Sequence, residues 1–234
     1  MTMRDAVRAV EDAFAALARG AARLPEPVHL EIPESQGEVH VKGAHLEGAP
    51  FFVFKVATGF ASNPARGLPT GHGVVWAFDA ATGRLAACLL DEGWLTEVRT
   101  GAAGAVAAKY LARRRLRKLG LVGAGAQARF QVRALAEVRA LPPIEVWSRT
   151  RERAEACARE LAEVHGVEAR AVPTAEAAVR EADLVVTATP SRAPLVRAEW
   201  LSPGAHVTAV GSDSPEKQEL EPAVLARADV LIAD

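Results

Sequence analysis

Apolar residues recur at helical spacing at the start of the chain. Ala6, Val7, Val10, Phe14 and Leu17 share one face, and Gly20 stands where a helix C-cap is expected. Residues 21–37 carry the turn residues of a loop with at most short strands. The period then drops from 3.6 to 2: Glu38-Val39-His40-Val41-Lys42 alternates, and Pro50 to Val56 is a bulky strand-like run. Gly59 to Gly73 breaks all regularity over a length that usually serves function. Val74 to Phe78 and Leu85 to Leu90 are expected to form a hairpin through Asp79–Gly83. A helix dense in alanine and glycine follows from Glu97 to Ala112, with Thr96 as its N-cap. Small residues at that density imply close packing against a neighbour, as at a hinge between domains.

From Lys118 onward short apolar runs alternate with amphipathic ones. Strands are predicted at 118–122, 144–148, 168–172, 183–188, 205–210 and 229–233, with helices at about 127–139, 151–165, 174–181 and 219–226. This alternation specifies βαβ units, hence a parallel sheet with right-handed crossovers. Leu184-Val185-Val186 and Val230-Leu231-Ile232 are continuously apolar, as strands covered on both faces are. The fold class is therefore α/β: a C-terminal Rossmann-type, doubly wound parallel sheet at 115–234 after an N-terminal α+β domain at 1–114.

Composition removes several functional classes. The chain has 234 residues and a formal net charge of −1, so the overall balance asks for neither nucleic acid nor an anionic membrane. The basic run Arg113 to Lys118 lacks interleaved aromatics and suits a solvated helix end. No apolar run approaches a membrane span, and charged residues interrupt the N-terminal segment, so it is no signal peptide. Cys88 and Cys157 offer no disulfide framework. A cytoplasmic protein is expected. Histidines 29, 40, 45, 72, 165 and 206 show no metal-ligand spacing, and no metal is expected.

Gly123-Ala124-Gly125-Ala126-Gln127-Ala128 fits the dinucleotide fingerprint G-x-G-x-x-G/A. The pattern alone is weak. Its context, between the apolar strand Leu119–Val122 and a helix from Gln127, makes it informative. Gly123 permits the tight turn, Gly125 lets the backbone approach a pyrophosphate, and Ala128 allows close helix–sheet contact. Amides at the helix start, including those of Ala126 and Gln127, then receive the phosphates. At the end of the next strand, where an acid would bind ribose hydroxyls, the chain has Ser148-Arg149-Thr150. A guanidinium flanked by hydroxyls suits a 2′-phosphate, so NAD or NADP is expected, with NADP favoured. Thr187 and Thr189, at a later strand's carboxyl end, are further coenzyme contacts, as is Thr100.

On the substrate side Lys55 stands inside an apolar strand and needs a carboxylate or an anionic ligand. Lys42 poses the same question more weakly. Arg99 sits in a helix of small residues, and its guanidinium is a natural clamp for a carboxylate. An internal salt bridge is the alternative for each. Asp213 follows a strand at the carboxyl edge, where a catalytic acid would meet a nicotinamide, although such residues also cap turns.

The stretches FKVATGF, NPARGLPT, LLDEGWLTEVRTGAAG, LVGAGAQARFQ, VWSRT, ADLVVTATPS and AVGSDSPEKQEL together resemble the ornithine cyclodeaminase/mu-crystallin family, in order and over nearly the whole chain. The resemblance implies that the N-terminal domain binds a small amino-acid or imino-acid substrate and pairs its sheet with a second subunit in a homodimer. It makes Lys55 and Arg99 the carboxylate clamp, Lys42 a weaker member, and Asp213 with Lys55 the catalytic candidates. The family's early substrate arginine has no clear counterpart, with His29 or Arg23 near its place, and Glu216 replaces a glycine. Family members also begin with an additional strand and continue past Asp234, which leaves both ends of this sequence short.

The activity so implied is conversion of L-ornithine to L-proline and ammonia by internal hydride transfer. Two alternatives share the resemblance: an NAD(P)H-dependent amino-acid dehydrogenase or cyclic ketimine reductase, and a non-catalytic crystallin-like binding protein.

Overall fold

In a computed structural model, which describes residues 1–233, the chain divides into two compact units. One comprises Arg8–Arg99; the other joins Met1–Val7 to the residues from Thr100 onward. The division falls within helices, so neither boundary is a linker.

The first element, α1 (Met3–Ala18), buries Met3, Ala6, Val7 and Ala16, and the chain leaves it through Gly20 at φ 74°. Six strands follow: β1 (Ala22–Arg23), β2 (Val28–Ile32), β3 (Gly37–Leu46), β4 (Phe51–Phe60), β5 (Gly71–Asp79) and β6 (Leu85–Leu89). They form one antiparallel sheet in the order β1-β3-β4-β5-β6, with β2 also paired to β3. β1 and β2 are the short strands that the expectation for 21–37 allowed. Val28, Leu30 and Ile32 alternate as a strand should, and a prolyl turn at Pro33–Ser35 closes the hairpin. The irregular segment is shorter than expected, since β4 and β5 extend to Phe60 and back to Gly71.

Helix α2 (Trp94–Leu111) begins earlier than predicted. The Asp91 carboxylate accepts from the Leu95 amide at 2.6 Å, which leaves Thr96 inside the helix instead of capping it. The remaining elements are β7 (Leu119–Val122), α3 (Ala126–Ala136), β8 (Ile144–Trp147), α4 (Arg151–His165), β9 (Ala169–Ala171), α5 (Ala175–Val179), β10 (Leu184–Thr187), β11 (His206–Ala209) and α6 (Pro222–Ala226). Their five strands are all parallel, in the order β11-β10-β7-β8-β9. The direction of travel reverses between β7 and β10, which makes a topological switch point at their carboxyl ends.

Leu119, Leu121, Ile144, Val146, Leu184 and Val186 form the centre of this unit's core with Val132 and Leu161 from the helices. Each is worth about 1.5–3 kcal/mol in transfer terms. The small residues of α2 have a specific neighbour. A Cβ on Gly101 would lie 2.6 Å from the Phe130 carbonyl oxygen, and one on Gly104 would lie 2.0 Å from Gln131 Oε1, so α3 rests directly on the α2 backbone.

Three expectations fail here, the last in part. The segment 229–233 is not a strand: Val230, Leu231 and Ile232 are exposed and no neighbour pairs with them among the described residues. A strand exists only through its ladder, and apolar composition alone does not supply one; Asp234 itself lies outside the described residues. The helix expected at 219–226 starts only at Pro222, whose ring suits a first turn. The basic run 113–118 is exposed at Arg113, Arg114, Arg115 and Arg117, as a solvated end would be, but it lies beyond the helix and three of its cations are paired. Arg113 and Arg117 both bind buried Asp183 at 3.1 Å, and Lys118 reaches Glu145 at 2.5 Å. The Arg117 guanidinium holds the Asp183 carboxyl below the usual carboxylate range.

Candidate functional site

The coenzyme candidates gather at the carboxyl edge of the parallel sheet. β7 ends at Val122, and Gly123 turns the chain at φ 119°, a conformation that disfavours any side chain. A Cβ there would also stand 2.4 Å from the Ala188 carbonyl oxygen, so the loop after β10 forms the wall of the turn. Gly125 is different. It is the N-cap of α3 in extended backbone, makes no side-chain capping bond, and an added Cβ would meet nothing within 4 Å. No side chain of the N-cap residue therefore covers the first amides of α3, from Ala126 and Gln127 on, at the N-terminal end of this 11-residue helix. That is the geometry a pyrophosphate requires.

Arg129, which the sequence reading passed over, braces this loop. It donates to the carbonyls of Ala124 and Gly125 at 2.8 and 3.1 Å while Glu160 holds it at 2.6 Å. Gln127 accepts from Gln131 at 3.3 Å, and Gln131 also donates to the Thr100 carbonyl at 3.0 Å. The Gly123 amide donates to Trp147 at 2.8 Å, which sets the end of β8 beside the turn. Ser148, Arg149 and Thr150 follow immediately, with Arg149 and Thr150 exposed and no acid among them. The residues present therefore fit a dinucleotide.

Thr187 and Thr189 differ from each other. Thr187 is fully buried and its hydroxyl donates to Glu219 at 2.8 Å, so it offers no surface to a ligand. Thr189 is half-buried and its hydroxyl donates to the same carboxylate at 2.7 Å. Glu219 went unrecognised because its stretch looked helical. In the structure it lies in a loop, held by the Val196–Leu220 bridge. Asp213 lies on that loop, exposed, and is engaged by Lys217 at 2.6 Å. Its isolated position in the sequence gave no sign of that partner.

The substrate candidates belong to the N-terminal unit. Register pairs Lys42 of β3 directly with Lys55 of β4, so both side chains leave one face of the sheet. Lys55 makes no hydrogen bond or ion pair among the described residues, and its pKa is lowered to about 8 by burial, then by Arg99 and Lys42, with Asp91 opposing. The early turn of α2 is delivered here by glycine packing. A Cβ on Gly73 would sit 3.2 Å from Gly93 Cα, so the start of β5 touches the residue before α2. Three of the predicted cations are thus electrostatically coupled. At Lys55 the Asp91 carboxylate opposes them, and one of its oxygens caps the helix.

The histidines, scattered in sequence, partly converge. His29 is the register partner of His40, their rings stack at 4.6 Å, and their ligand atoms with that of Glu38 lie within 4.8 Å of one another.

A family profile described as ornithine cyclodeaminase/mu-crystallin matches residues 1–234. A relative from Rhizobium meliloti, a dehydrogenase by name, is 47% identical over 96% of this chain and 68% of its own length. Among solved structures, the Thermococcus litoralis Delta(1)-pyrroline-2-carboxylate reductase in complex with NADH and L-proline is 31% identical. It superposes with a TM-score of 0.92 over 97% of this chain and 70% of its own. An archaeal alanine dehydrogenase dimer with bound NAD is 36% identical, with a TM-score of 0.92 over 100% of this chain and 71% of its own.

The chain belongs to the ornithine cyclodeaminase/mu-crystallin family. The family includes NAD(P)-dependent oxidoreductases acting on amino and imino acids, and the mixed α/β fold with its parallel sheet is shared with them. Among the described residues no helix is long and apolar enough to cross a membrane.

Proposed function

We propose that this family member catalyses NAD(P)-linked hydride transfer at the α-carbon of a small amino or imino acid, as a reversible dehydrogenase or a cyclic ketimine reductase. The observation that carries this reading is the set Lys42, Lys55 and Arg99, in which Lys55 lacks an ion-pair partner among the described residues. Two lysines directly opposite on a sheet repel, and an anionic ligand relieves that repulsion. In this reading Lys55 and Arg99 hold the substrate carboxylate, with Lys42 reinforcing them, and so orient the α-carbon. The coenzyme supplies the hydride. The amides after Gly123 hold its pyrophosphate, and Ser148, Arg149 and Thr150 meet the adenosine ribose, where Arg149 favours a 2′-phosphate. Thr189 and Thr100 line the same site.

A second reading is ornithine cyclodeamination, in which Asp213 takes or orients an amine proton. The carboxylate at the sheet's carboxyl edge favours it, since an acid there suits a diamino substrate. The Lys217 contact weighs the other way, because an amine must displace a lysine already bound at 2.6 Å.

The exposed apolar residues of the N-terminal sheet, among them Val28, Leu30, Leu85 and Leu89, support a homodimer through that sheet.

The test is to supply NADH or NADPH with pyruvate plus ammonia, or with a cyclic ketimine carboxylate, and to follow coenzyme oxidation. L-Ornithine with catalytic NAD+ is assayed for ammonia and proline in parallel. Coenzyme oxidation supports the proposal. Ammonia and proline without net reduction would replace it with the cyclodeaminase. Silence on all substrates despite coenzyme binding would leave a crystallin-like binding role.

A further inference from the structure

We propose that Glu219 is the positioning residue for the nicotinamide side of the coenzyme site: its carboxylate fixes how the loops after β10 and β11 present themselves to the ligand. The inference rests on the coenzyme reading above and concerns a residue with no expected contact to the coenzyme itself.

Glu219 is 0% exposed, and no basic side chain pairs with it among the described residues. Its two oxygens share four donors evenly. Oε1 accepts from the Thr189 amide and the Thr189 hydroxyl, each at 2.7 Å. Oε2 accepts from the Thr187 hydroxyl and the Gly211 amide, each at 2.8 Å. Its own amide donates to Ser212 at 3.1 Å. A buried carboxylate without a cation is an expensive way to gain stability, and apolar replacements of buried charges often do better. What the carboxylate uniquely offers is acceptor capacity on both oxygens at once.

The loops it joins lie in the second mononucleotide-binding half of the sheet, outside the carboxyl ends of β10 and β11, where a nicotinamide half binds. They approach backbone to backbone: a Cβ on Gly211 would lie 2.1 Å from the Thr189 carbonyl oxygen. Thr187 and Thr189 also flank Ala188, whose carbonyl forms the wall of the Gly123 turn. One side chain therefore ties the Thr187–Thr189 and Gly211 segments together, beside the Gly123 turn at the switch point.

The arrangement has a chemical consequence. The Thr189 hydroxyl spends its proton on Glu219 and accepts from the Ser191 amide at 3.4 Å, so toward a ligand it presents one remaining lone pair. It suits an N–H donor such as a carboxamide and is unsuited to a phosphate or carboxylate.

Glu219→Gln tests this, because a glutamine keeps the shape but cannot satisfy the donors. With its NH2 at the Oε1 position it confronts the Thr189 amide, and at the Oε2 position it confronts the Gly211 amide. Either way a buried backbone donor is left facing another donor. The dissociation constants of NADH and of ADP-ribose, which lacks the nicotinamide, are measured by calorimetry on the full chain. NADH should bind about tenfold or more weakly in the variant, with ADP-ribose affected far less. Thr189→Val should weaken NADH selectively too, and less than additively with Glu219→Gln. It serves alone if the glutamine variant does not fold. Equal losses for both ligands, or unchanged NADH affinity in a folded variant, would overturn the proposal. Wild-type protein binding neither ligand would instead sink the coenzyme reading.

Discussion

Lys42 and Lys55 face each other, Cα opposite Cα, on neighbouring antiparallel strands of the N-terminal sheet. Like charges so placed cost stability in the free protein and gain a purpose only when an anion lies between or above them.

Substrate affinity should therefore follow the charge on Lys55. Burial, with Arg99 and Lys42, lowers its pKa to about 8, so the ammonium is present below that pH and lost above it. The Michaelis constant for a carboxylate substrate should rise above pH 8, and Lys55→Met should raise it about tenfold or more at neutral pH. The stability of the free protein runs the opposite way. Because the folded pKa lies below the ordinary 10.5, the unfolded chain binds more protons between the two values, and stability rises with pH across that window. Lys55→Met should hence melt higher than the wild type at pH 7, with the advantage shrinking from pH 8 upward. A flat difference in melting temperature from pH 6 to 10 would contradict this account.

The two glycines of the dinucleotide loop should separate stability from binding. Gly123→Ala forces a side chain into a left-handed turn and 2.4 Å from the Ala188 carbonyl, so the fold should weaken by about 1–3 kcal/mol or more. Gly125→Ala meets nothing within 4 Å and should melt like the wild type. Its methyl group would occupy the approach to the phosphates, and coenzyme affinity should fall. Thermal denaturation beside NADH titration reads both effects.

Arg149 should discriminate between the coenzymes. If its exposed guanidinium meets a 2′-phosphate, Arg149→Ala should weaken NADPH about tenfold while leaving NADH nearly untouched. Equal affinities before and after the substitution would remove the basis for any NADP preference.

The exposed leucines of β6 should report on assembly. Leu85 and Leu89 are 58% and 45% exposed on a strand with every residue exposed. Replacing both with lysine should convert a dimer to a monomer in light scattering, because buried charge on a paired sheet is costly. A monomeric wild type would show that this face serves another purpose.

Local pattern by itself determined a good deal. The periodicities located α1, the strands from β3 to β6 and the βαβ succession. The helix expected at about 151–165 is α4, Arg151–His165, and Gly166 stops it in the left-handed conformation that glycine favours. The glycine loop was legible for the same reason, since backbone freedom is a property of residue type. The strand expected at 229–233 fails where apolar composition meets no pairing partner among the described residues, whereas β2, one of the short strands allowed for in 21–37, is a strand because β3 pairs with it. Only the tertiary structure could decide which residues meet. Register set Lys42 opposite Lys55, loop packing gave Glu219 its four donors, and Lys217 came to Asp213. Those relationships depend on segments far apart in sequence, or on a loop whose path no periodicity encodes, and they assign each charge its electrostatic neighbours.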